Sequence, residues 1–189
     1  MPESRPAGRD PIGGPGYDFA SKWAPVPDWD SVHIDRPDVA ISCCRPGAMI
    51  VVNGGFHAAL DLAGIDSAPV GWPDVARGRS YAVRLARERV LIVGGTDLAS
   101  GWHESGFAVS RAEDAAVVFE VSGPGTGELL SSGAEVFFDH PSACAVRVLA
   151  GMPVILYRHD RESRVRMHVA RPSAAGFFSW LSAATHRPR

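Results

Sequence analysis

The stretch Gly123-Pro124-Gly125-Thr126-Gly127 is the first place to look for chemistry, because a glycine-rich turn before a helix can present backbone amides to a phosphate. A phosphate loop then needs Lys followed by Ser or Thr, and Glu128 and Leu129 stand there instead. A dinucleotide fingerprint fails at the same point, since its sixth position is Glu128 rather than glycine. A carboxylate at the mouth repels an anion, so the expected role of this stretch is a tight helix start. A small-anion module at Ser122–Gly127 is the weakest functional reading.

Other reactive side chains are scattered. His33, His57, His103, His140, His159, His168 and His186 form no HExxH and no i, i+4 pair on a helix, so no metal site is expected. Cys43 and Cys44 are adjacent and Cys144 is alone, with no CxxC spacing. Buried, reduced thiols are the expectation. No GxSxG elbow occurs. Glu113-Asp114 and the Asp61, Asp66 pair fall in a turn or on a helix face and read as solvated charge. Arg158, Arg161, Arg164, Arg166 and Arg171 could bind an anion or an acidic partner, but more often such a cluster is the outer face of an edge strand. No catalytic residue emerges.

Elements that would position these residues follow from periodicity. Val39–Cys44 reads as a buried strand before the turn Arg45-Pro46-Gly47. Asn53 is the expected cap of a helix from Gly54 to Ala63, with Phe56, Leu60 and Ala63 on one face and Gly64 as its stop. Residues 67–78 form a loop. Tyr81–Leu85 and Val90–Val93 form a hairpin, and Thr96 or Asp97 would cap a short helix toward Trp102. Strands at Phe107–Ser110 and Ala115–Val121 follow. Ser122 and Pro124 then open a second helix bearing Leu129-Leu130. Cys144–Leu149, Val154–Tyr157 and Arg164–Val169 are strands, the last placing Val165, Met167 and Val169 inward against Arg164, Arg166 and His168 outward. Arg171-Pro172-Ser173 opens a final helix with Phe177, Trp180 and Leu181 on one side.

The predicted class is α+β, with two related β-α-β-β-α-β-like halves at about 36–106 and 107–184. Residues 1–35 make an extended Pro/Gly-rich arm carrying Tyr17, Phe19, Trp23 and Trp29, and 185–189 a tail. Such an arm packs on its own domain or on a partner. Those four aromatics and the loop residue Trp72 are the candidate interface residues.

The chain has 189 residues and a formal net charge of −2, a balance that argues against nucleic-acid or anionic-membrane partners. Apolar runs are too short for a spanning helix, and the first twenty residues lack an apolar leader core, so a cytoplasmic protein is expected.

In order and spacing, several short stretches resemble the gamma subunit of heterotetrameric sarcosine oxidase, within the folate-binding aminomethyltransferase superfamily. They are Ala115–Pro124 with Leu129-Leu130, then Cys144–Leu149, Ala150–Arg158, and Val169–Ser173 leading into Phe177, Phe178, Trp180 and Leu181. Arg89–Gly94 is compatible with the family's hairpin strand, and the likeness covers about 36–184. Where the superfamily often has Asp-x-Ser, Arg111-Ala112-Glu113 stand. Where aminomethyltransferases carry a carboxylate pair before their Tyr-Arg strand, Met152-Pro153 stand, and neither can move a proton. The resemblance implies the superfamily's folate-binding fold and a non-catalytic accessory subunit of a flavin-dependent secondary-amine oxidase or demethylase. The chain itself would hold no cofactor; FAD, FMN, NAD and tetrahydrofolate would reside with alpha and beta subunits, a delta subunit being a further candidate partner. The rival reading is a stand-alone folate-dependent aminomethyl- or methyltransferase, with Asp97 or Glu113 as its carboxylate.

Overall fold

The computed structural model describes residues 26–134 and 140–186. Among these residues, twelve strands and three α-helices build two sheets with helices on their outer faces. The first sheet contains β1 (His33–Asp35), β2 (Ala40–Cys44), β9 (Ala116–Ser122), β12 (Arg161–Ala170), β11 (Met152–His159) and β10 (Val146–Leu149), in that spatial order. The short β4 (Val75–Ala76) pairs in parallel with β11. The second sheet runs β5 (Tyr81–Ala86), β6 (Arg89–Val93), β3 (Met49–Gly54), β8 (Phe107–Arg111) and β7 (Gly101–His103).

Three apolar layers hold this together. Helix α1 (Phe56–Ala63) buries Phe56, Ala59, Leu60 and Ala63, an i, i+3, i+4, i+7 stripe, against Val52, Ile92 and Val109 of the second sheet. Helices α2 (Thr126–Gly133) and α3 (Ala174–Thr185) bury Leu129, Leu130, Phe177 and Leu181 against Phe119, Leu156 and Met167 of the first. Between the sheets lie Met49, Val83 and Leu91 from one side and Val118 and Tyr157 from the other. Full burial of such a side chain contributes about 1.5–3 kcal/mol.

The sheets use their strands in the same way. A central strand (β3 or β9) runs into a helix, a hairpin (β5–β6 or β11–β12) returns to one side of it, and a second hairpin lies on the other. That second hairpin is exchanged. β2 pairs with β9 across Ile41↔Val121, while β8 pairs with β3 across Val109↔Val52. A boundary at 106/107 therefore does not separate two independently built sheets. Strand β8, from the later half, completes the earlier half's sheet, and β2 does the reverse.

Several local expectations change. Met49–Gly54 is a full central strand, so Asn53 lies in the sheet and its side chain takes a hydrogen bond from Arg89 instead of capping α1. The cap position is Gly55. Gly64 does end α1, with φ 70° and its amide bonded to the Asp61 carbonyl. No helix forms between Asp97 and Trp102; the chain reaches strand β7 through irregular backbone. Ser122 is the last residue of β9 and makes no capping bond to α2. The end of the expected arm is the sheet strand β1, fixed by pairing with β2, and α3 extends to Thr185 within the expected tail.

Candidate functional site

The glycine-rich stretch resolves into a junction between β9 and α2. Gly123 has φ +116°, and a Cβ there would sit 2.4 Å from the Asp38 carbonyl oxygen in the β1–β2 turn. The Gly125 amide donates to that same oxygen at 2.8 Å, and the Thr126 hydroxyl donates to the Gly123 carbonyl at 2.8 Å. Its glycines serve the close approach of the exchanged hairpin. The β3–α1 junction repeats this geometry: Gly54 has φ +99°, its Cβ would sit 2.6 Å from the Gly106 carbonyl oxygen, and the Gly55 amide donates to that oxygen at 3.0 Å.

The inter-sheet layer holds a polar cluster on the face that the alternation of β12 marks as outward. Arg164, Arg166 and His168 do alternate with Val165, Met167 and Val169, but their side is covered by the second sheet, and His168 is 3 % exposed. Arg166 Nε donates to Glu120 at 3.1 Å, and Arg164 Nε lies 3.3 Å from the other Glu120 oxygen. Arg166 also donates to the Tyr81 hydroxyl at 2.8 Å. That hydroxyl lies 2.9 Å from Tyr157 Oη, which lies 2.8 Å from His168 Nε2. Arg166 can only donate. Running the bonds from Arg166 to Tyr81 to Tyr157 to His168 gives each tyrosine hydrogen an acceptor and leaves His168 Nε2 as a bare acceptor. Burial, with help from the Arg166 charge, pushes the His168 imidazole down to about 3, in accord with a neutral ring. Burial likewise raises both tyrosine hydroxyls. The cluster has a fixed donor direction and serves as a clamp between the sheets.

The three thiols are unpaired and half-buried, not fully buried as expected; partial burial still pushes Cys43 up to about 12 and Cys44 up to about 11, so neither is a thiolate near neutrality. Cys144 donates to the Leu85 carbonyl. No group of metal-binding side chains occurs among the described residues, and no helix there is long and apolar enough to cross a membrane. Asp97 and Glu113, the carboxylates considered for a transferase, converge on Arg111, at 2.8 and 3.4 Å. Glu113 accepts from its own amide and that of Met49, and its carboxyl is held below the usual range by those bonds and by Arg111. Such a group is poorly suited to deliver a proton.

Of the expected interface residues, Tyr17, Phe19 and Trp23 lie outside the described residues. Trp29 packs edge-on against Phe119 and Phe178, at 5.8 and 6.4 Å. It is half-buried and forms one wall of a cleft of about 570 Å³ that also contains Arg45, Cys43, Glu113 and Arg171. Trp72 is 4 % exposed and lies under the Arg158 guanidinium, 5.6 Å from its ring centre, so it is an interior residue and not an outward loop contact. Sequence reading missed Trp102, 74 % exposed on edge strand β7. The alternation of a three-residue strand is too short to signal it.

No protein-family model matches the chain, and no curated protein matches it. Among solved structures, a chain of the heterotetrameric sarcosine oxidase from Corynebacterium sp. U-96, determined with pyrrole 2-carboxylate, superposes with a TM-score of 0.63. The match covers 82 % of this chain and 88 % of that one at 16 % identity. The two chains share a fold.

Proposed function

We propose that this chain is a non-catalytic, gamma-type accessory subunit of a cytoplasmic, heteromeric, flavin-dependent sarcosine or other secondary-amine oxidase or demethylase. The observation that carries the reading is the fold match to a chain of a heterotetrameric sarcosine oxidase over 82 % of this chain and 88 % of that one. The motif order from Ala115 to Leu181 supports the same family independently of the superposition. In this reading alpha and beta subunits, with a delta subunit where present, hold FAD, FMN, NAD and tetrahydrofolate, and this chain contributes to assembly. Tyr17, Phe19, Trp23 and Trp29 belong to the contact surface, joined by Trp102. The shared strand usage of the two sheets supports two related halves around residue 106, with their outer hairpins exchanged.

The isolated chain tests the non-catalytic part. Purified alone and assayed for tetrahydrofolate binding and for turnover of N-methyl substrates, it is expected to show neither. Turnover by the chain alone would establish the transferase instead.

A further inference from the structure

Strand β11 places Val154 and Leu156 in the core under α2 and α3, and the same alternation puts Arg158 on that face. A half-buried cation at a core-facing position calls for an acceptor. Among the described residues none is present: Arg158 Nε is cut off from water without a hydrogen-bond partner, and no carboxylate there lies within ion-pair distance of the guanidinium. Its guanidinium carbon lies over the Trp72 ring, 5.6 Å from the ring centre. The residue opens on a cleft of about 550 Å³ whose walls include Leu130, Ser131, Glu162 and Ser163.

The corresponding position in the other sheet is a built-in comparison. Arg84 is paired with Val90 as Arg158 is with Val165, and both valines pair onward to the central strands at Val52 and Val121. Arg84 also lies over an aromatic ring, Phe56, at 4.9 Å, but it donates to the Arg87 carbonyl. One of its terminal nitrogens has an acceptor within the fold, at 3.4 Å, whereas no hydrogen bond from the Arg158 guanidinium occurs among the described residues.

From this contrast we propose that the Arg158–Trp72 cleft binds a small monocarboxylate. A guanidinium is planar, and its edge N–H groups match the two oxygens of a carboxylate. Seating it fully requires the guanidinium to slide on the ring far enough to uncover Nε. Glu162 stands exposed on the same wall and disfavours a second negative charge, so a phosphate dianion is rejected. The Gly125 amide is committed to Asp38, which leaves Arg158 as the cation of the site.

The test follows arginine Nε–Hε resonances of the full chain during titration with sodium benzoate at constant ionic strength. The Arg158 signal is expected to shift saturably, with half-saturation at about 1 mM, while the Arg84 signal stays still. Arg158→Lys weakens binding about tenfold, and Arg84→Lys leaves it unchanged. Glu162→Gln, an exposed change that leaves folding intact, tightens benzoate binding. A non-saturating shift, unchanged affinity in Glu162→Gln, or inorganic phosphate binding more tightly than benzoate overturns the proposal.

Discussion

The two sheets use their strands alike, yet the surfaces they turn toward each other are built from different chemistry. Across the second sheet one inward row reads Val83, Leu91 and Val51. The row in the same register of the first sheet reads Tyr157, Arg166 and Glu120. The outward rows, by contrast, match in kind: Val90, Val52 and Val109 under α1, and Val165, Val121 and Ile41 under α2 and α3. The helix-facing rows and the two glycine junctions are what the architecture requires. The inner row tolerates either an apolar or a hydrogen-bonded solution, and a hydrogen-bonded cluster adds directional constraint to how the sheets meet.

That contrast can be broken most severely at the junctions. Gly123→Ala and Gly54→Ala each push a Cβ onto a backbone carbonyl at positive φ. Each should lose about 3–5 kcal/mol in urea denaturation, or fail to fold. Gly47→Ala, at φ +98° but in open space, should lose only about 1 kcal/mol. A small effect at Gly54 with a large one at Gly123 would show that the junctions are not equivalent.

Next in size is the inner row. Glu120→Leu strands Arg166 in the interior and should cost about 3 kcal/mol. Copying the apolar row, with Tyr157→Val, Arg166→Leu and Glu120→Val together, should recover part of that loss, because the buried Arg166 charge is gone and Arg164 keeps Asp160 at 3.8 Å, while His168 Nε2 loses its hydroxyl partner. Failure to recover would mean that the cluster is needed for more than its charges.

Acid probes the same layer. His168 is neutral when folded, with its pKa near 3, whereas the unfolded chain binds a proton near pH 6.5. Below pH 6.5 the unfolded state therefore holds more protons. The stability that His168 contributes is complete above pH 6.5 and falls by about 1.4 kcal/mol per pH unit toward pH 3. His159, lowered chiefly by burial and then by the Arg166 charge, adds loss of the same sign. His168→Gln should flatten the pH dependence of the urea midpoint between pH 6 and 4.

The smallest effect on stability is expected at the exchanged hairpins. Trp102 faces Ala108 in β8, and Asp35 faces Ala40 in β2, at corresponding positions. Trp102→Ser should change stability by less than about 0.5 kcal/mol. In the subunit reading it weakens association with partner chains, and a variant that assembles normally would remove Trp102 from the contact surface.

Much of this was legible in the sequence where burial is one-sided. The β5–β6 hairpin, β9, the apolar stripe of α1 and the αL stop at Gly64 follow from periodicity and from glycine's tolerance of positive φ. Strand β3 was hidden because the apolar run of Ala48–Val52 lacks alternation, and Asn53 before two glycines imitates a helix cap. The polar face of β12 read as solvent-facing because alternation alone cannot reveal a second sheet lying over it. The tyrosines that satisfy Arg166 and His168 come from β5 and β11, one of them 85 residues away from Arg166. Trp72 looked like an exposed loop residue among prolines and glycines, since nothing local announces that Arg158 covers it.

The subunit reading is tested most directly by purifying the chain from its own cells under native conditions and identifying what accompanies it by native mass spectrometry and flavin absorbance. The expected result is a stable heteromer containing larger flavin-bearing chains, with amine-oxidising activity in that fraction. Recovery of the chain as a lone monomer, free of flavin proteins, would contradict it.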